Sequence, residues 1–75
     1  MVTLADHIAE INAYREDDIK FLNAEIATMT KMRQRFPENS ELQQWATYFT
    51  KLHMAEIEGL IQEIEDGRRE IEELS

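Results

Sequence analysis

The chain has no cysteine, one proline and two glycines, and no apolar run of bilayer-spanning length. Each shortage removes a class of explanation. Without cysteine there are no disulfides and no thiolate metal sites, and the composition fits a reducing, cytoplasmic compartment. Without some ~18 consecutive apolar residues there is no transmembrane helix. The opening "MVTLADHIAEI" carries Asp6 and lacks a basic region backed by an apolar core, so it does not read as a secretory signal. Two histidines, no cysteine and no glycine-rich loop offer little to nucleophilic catalysis, and the expectation is a protein that is not an enzyme.

Bases are scarce too. Eight face sixteen acids, for a net charge of −8. Such a surface repels phosphate backbones and anionic bilayers, which argues against direct nucleic-acid or membrane binding. The imbalance is uneven. Residues 1–55 hold eight acids and six bases, net −2. Residues 56–75 hold Glu56, Glu58, Glu63, Glu65, Asp66, Glu70, Glu72 and Glu73 against Arg68 and Arg69, net −6.

What is present is helical periodicity. In the first half a seam runs Ile8, Ile11, Arg15, Ile19, Leu22, Ile26, Met29, Arg33, Phe36. In the second it runs Leu42, Ala46, Phe49, His53, Ile57, Leu60, Ile64, Gly67, Ile71, Leu74. Both step by three or four residues. Thr3 is placed to cap the first helix, with Asp6 at its positive end and Lys31, Arg33 and Arg35 in its last turns. The only strong turn signal is "FPENSE", where Pro37 pushes its predecessor out of the helical region. Ser40 with Gln43 three residues on reads as a capping box for the second helix. These signals predict an all-α fold of one domain, residues 1–75: helix 4–36, turn 37–40, helix 41–74. A short turn between near-equal helices implies an antiparallel, coiled-coil-like hairpin. Its register sets Leu22 near Ile57, Ile8 near Ile71 and His53 near Glu25. A break in the first helix would fall in the polar run Asn12–Asp18.

A two-helix hairpin buries one seam, yet this chain has more apolar width than that. Trp45, Tyr48, Leu52 and Ala55 flank the second seam, and Tyr14, Phe21, Ala24 and Met32 flank the first. A second helical layer is needed to cover them. The expected solution is a homodimer forming a four-helix bundle, or a higher oligomer, through Tyr14, Phe21, Met32, Trp45, Tyr48 and Leu52. Beyond Gly59 this width fades, and "LIQEIEDGRREIEEL" reads as a thin acidic arm. Gly67 weakens it by about 1 kcal/mol relative to alanine, so fraying is expected there.

Three functional readings follow. The first is a small acidic interaction protein, a regulator or inhibitor of a kind common among bacterial and phage accessory proteins. It would bind a basic protein surface through Glu63, Asp66, Glu70 and Glu73. The second is an oligomeric binder of a small phosphorylated ligand such as a nucleotide, because Lys31, Arg33, Arg35 and Lys51 gather near Trp45 and Tyr48 at the turn end. The third is a purely structural oligomerisation module. Neither His53 with Glu56 nor His7 with Glu10 reads as a metal site, since the two pairs lie at opposite ends of the hairpin. The run "REDD" (15–18) lacks the alternating ligands and glycine of a calcium loop. Arg15, in the seam beside Glu63 and Glu65, is instead placed for an inter-helix ion pair.

Overall fold

A computed structural model describes all 75 residues and shows two α-helices, α1 (Leu4–Arg35) and α2 (Ser40–Leu74), packed against each other as a hairpin. α1 starts at a reciprocal cap. Asp6 N–H donates to the Thr3 hydroxyl at 3.1 Å, and Thr3 N–H donates to the Asp6 carboxylate at 3.0 Å. Two of the helix's orphan donors are thereby satisfied. The polar run after Asn12 does not interrupt α1, which is continuous to Arg35.

The turn departs from the expected chemistry. Asn39, not Ser40, caps α2, its Oδ1 accepting from Leu42 N–H at 3.0 Å. Gln43 is therefore free for another task. Its Nε2 donates to the backbone oxygens of Arg33 and Phe36, both at 3.0 Å, and its Oε1 accepts from Arg33 Nε at 3.0 Å. One side chain thus ties the carbonyl end of α1 to the start of α2.

The seam departs from expectation at its ends, where Arg33, Phe36 and Leu74 are exposed, and at one interior place on each helix. Ile11 is 47% exposed, and the position belongs to Asn12, 7% exposed. The α1 seam then runs Ile8, Asn12, Arg15, Ile19, Leu22, Ile26, Met29, in unbroken four-three alternation. Facing Asn12 is Gly67, which is buried rather than a gap in the seam. A Cβ on Gly67 would lie 2.8 Å from Asn12 Nδ2 and 3.1 Å from Ile8 Cγ2, so the glycine is what lets the helices close. Asn12 Nδ2 donates to the Ile64 carbonyl at 3.2 Å, and Asn12 Oδ1 accepts from Arg15 Nη1 at 2.9 Å. Arg15 Nε reaches Glu63 at 3.1 Å across the helix pair.

The result is a rod, 56 × 18 × 12 Å, with a radius of gyration of 17.0 Å. A compact domain of this length has about 11 Å. Only seven residues are buried, and of the apolar side chains among them Ala46 is fully enclosed. No helix is long and apolar enough to cross a membrane.

Candidate functional site

The hairpin carries two contrasting ends along one face. Near the turn, a groove of about 660 Å³ opens between the helices, lined by Phe21, Met29, Met32, Trp45, Phe49 and His53 among others. Helical spacing builds it. Phe49 lies one turn beyond Trp45 and one turn before His53, so the three rings stand on one side of α2. Their centroids are 5.3 Å (Trp45–Phe49) and 6.5 Å (Phe49–His53) apart, with Tyr48 set edge-on to Phe49 at 5.2 Å. Phe21, 64% exposed, forms the opposite lip.

His53 closes the groove at its far end. Nε2 meets Glu25 of α1 at 2.5 Å and Nδ1 meets Glu56 of α2 at 3.3 Å. Both contacts are hydrogen bonds together only when both ring nitrogens carry protons. The ring thus acts as a polar clasp between the helices.

Phe21 also lines the next depression along the same face, with Leu22, Glu56, Gly59, Leu60 and Glu63. A Cβ on Gly59 would meet nothing within 4 Å, so this glycine, unlike Gly67, leaves an open notch. Further on, Glu63 lines a third depression with Ile11, Arg15, Asp66 and Glu70. The face therefore passes continuously from aromatic to acidic.

Folding concentrates charge that the linear sequence spreads out. The open end combines residues 1–20 and 60–75, with eleven acids against Arg15, Lys20, Arg68 and Arg69, net −7. The turn end, residues 28–51, holds Lys31, Arg33, Arg35 and Lys51 against Glu38 and Glu41, net +2. The middle, residues 21–27 and 52–59, holds Glu25, Glu56 and Glu58, net −3. Of the predicted acidic face, Glu63 is engaged by Arg15, and Asp66 accepts from Gln62 at 3.0 Å and Arg69 at 2.5 Å. Glu70 and Glu73 make no ion pair within the chain. The Asp6 carboxyl is held below its usual value, by hydrogen bonding first with the backbone and then with the side chain of Thr3.

The predicted cationic pocket does not come together as one cavity. Trp45 lines the main groove, Tyr48 and Lys51 line a shallow hollow with Gln44, and Arg35 lines a third beside Pro37. Arg33 is held by Gln43, and Arg35 stacks over Phe36 at 5.5 Å. The predicted apolar flank behaves differently. Phe21, Met32 and Trp45 share the groove; Tyr14 stands two turns from Phe21, and Leu52 two turns from Trp45, on the same sides of their helices. Sequence reasoning overlooked Asn12, although the strict four-three spacing from Ile8 pointed to it. No protein-family model matches the chain, and no curated protein or solved structure is similar to it.

Proposed function

We propose that this is a non-catalytic interaction protein that pairs with a second copy through its aromatic half and offers its acidic open end to a basic protein surface, as a regulator or inhibitor. The observation that carries this reading is the segregation itself: net −7 at one end and a 660 Å³ aromatic groove toward the other. Charge of one sign on a rigid rod steers and selects partners of opposite sign.

Solubility alone is a weaker account of the acids, because some of them stand where they oppose folding. The last turns of α2 carry Glu70, Glu72 and Glu73 and end without a basic residue. Carboxylates at a helix C-terminus face the negative end of the macrodipole, each typically costing about 0.3–1 kcal/mol. A local conflict of this kind is common where a site serves binding.

The pairing is supported by area. The chain exposes 5885 Å². A compact protein of 8.9 kDa exposes about 4,800 Å². The excess, on the order of 1,000 Å², is similar to what each partner contributes to a standard interface, about 800 Å². Two hairpins joined on their aromatic halves make a four-helix bundle there.

The test of the acidic end is a double reversal, Glu70→Lys with Glu73→Lys. Tagged protein purified from its own cells should retain a basic partner in low salt and lose it as salt rises. The reversal should abolish that retention while raising the melting temperature, because the dipole conflict is relieved. A partner held equally well by the reversed protein would remove the acidic-end reading.

A further inference from the structure

Pairing, on the reading just proposed, leaves the mutual direction of the two rods open. The geometry points to an antiparallel dimer that overlaps only over the turn halves, with the two acidic ends projecting from opposite ends of one longer rod.

Three observations converge on this arrangement. The aromatic groove is confined: its lining residues from Phe21 to Met32 and from Trp45 to His53 lie within about 25 Å of the turn at 1.5 Å per residue, although single apolar side chains such as Ile11 and Ile61 are exposed beyond it. Full-length overlap would force the acidic faces into the interface.

Charge selects the direction. Side-by-side parallel pairing sets net −7 against net −7 at the open end and net +2 against net +2 at the turn. Antiparallel half-overlap instead sets the positive turn end of each copy against the middle of the other. There the copy presents Glu25, Glu56 and Glu58, net −3, flanked by Asp17 and Asp18. Both acidic ends are then some 80 Å apart and solvated.

Gly59 supplies the third. It is exposed in mid-helix and its missing side chain would touch nothing in its own chain, so the hairpin itself gains nothing from a glycine. With the two-fold axis near Thr28 and Phe49, about 15 Å from the turn, the partner's turn reaches about 30 Å along the rod. That is the level of Gly59 and of Tyr14, 62% exposed. The notch is where a second copy's turn comes to rest, and Tyr14 is covered by the same contact.

The absence of cysteine makes the test direct. Asp66→Cys, carrying a spin label on an exposed site, reports one distance between copies. Half-overlap places the two labels about 50 Å apart. Parallel pairing or full antiparallel overlap places them within roughly 25 Å, and that result overturns the half-overlapped arrangement while leaving self-association intact. No dipolar coupling, with sedimentation as a single chain, sinks self-association itself and this proposal with it. Solution scattering should agree, with a longest dimension near 80 Å rather than the 56 Å of one hairpin. As a second variant, Gly59→Gln should keep the helical content and weaken the dimer at least tenfold. An unchanged dissociation constant would remove the notch from the interface and overturn the half-overlap.

Discussion

At the scale of single residues, the two glycines do opposite things. Gly67 sits under Asn12 and Ile8, where a methyl would displace the Asn12 amide from its position. Displacement breaks its bond to the Ile64 carbonyl and its contact with Arg15, leaving a buried amide unpaired. An unsatisfied buried amide costs about 1–3 kcal/mol. Against it stands the better helix propensity of alanine, about 1 kcal/mol. Gly67→Ala should therefore destabilise by about 1 kcal/mol in urea unfolding. In an Asn12→Ala background no amide remains to displace and only the Ile8 Cγ2 methyl, 3.1 Å away, must give by a few tenths of an ångström, so the same change should stabilise, by less than about 1 kcal/mol. That reversal of sign is the prediction. If Gly67→Ala has the same effect in both backgrounds, Asn12 and Gly67 are not coupled. A polar residue at a seam position, with a matched glycine opposite, costs stability and fixes alignment, since any slide along the pair strands the amide.

At the scale of the elements, legibility in the sequence was uneven. The helices, their direction and the Glu25–His53 pairing follow from periodicity and one proline-marked turn, because those depend on residue type and spacing alone. The Asn12 position did not follow, because an apolar residue one place earlier, Ile11, satisfied a search for hydrophobicity. The register is decided by what fits against Gly67, which is a property of two helices together. The cap of α2 failed for a similar reason. Ser40 and Gln43 have the right spacing, but the path of the turn brings Gln43 to the carbonyls of Arg33 and Phe36 at the end of α1, and Asn39 takes the cap. The aromatic flank was legible as a stripe, whereas the dispersal of Lys31, Arg33, Arg35 and Lys51 was not, since residues close in the chain point around a helix by 100° steps.

The start of α1 carries a pH prediction at this same scale. Its cap works through the ionised Asp6 carboxylate, whose pKa is lowered in the folded chain. A depressed folded value means the contribution is complete above the ordinary aspartate range, near ~3.9. It falls away as pH drops toward and through the depressed value. Amide exchange at Asp6 and His7 should accelerate in acid relative to mid-α1 amides. Asp6→Asn should show already at neutral pH most of the fraying that the parent shows in acid, with little further change. Parallel acid sensitivity in the two proteins would assign the effect to other carboxylates.

At the scale of the whole molecule, the decisive quantity is how little one hairpin encloses. Seven buried residues, none a large side chain fully shielded from water, leave a core too thin for the usual few kcal/mol of stability. The exposed Phe21, Trp45 and Tyr48 are the reserve, each with about half to two-thirds of its surface still open, out of the ~150–250 Å² an aromatic side chain buries when fully covered. If a second copy covers them, folding and association are one equilibrium, and the melting temperature must climb with protein concentration. Phe21→Glu tests this with little disturbance inside the hairpin, because the side chain projects from the lip of the groove rather than into the seam. The variant should sediment as a single chain, melt lower, and lose the concentration dependence. Trp45 emission should shift to the red as its ring meets water. A parent protein whose melting temperature is the same at one and at one hundred micromolar would mean that the hairpin stands alone, and the apolar groove would then have to be read as a site for something other than itself.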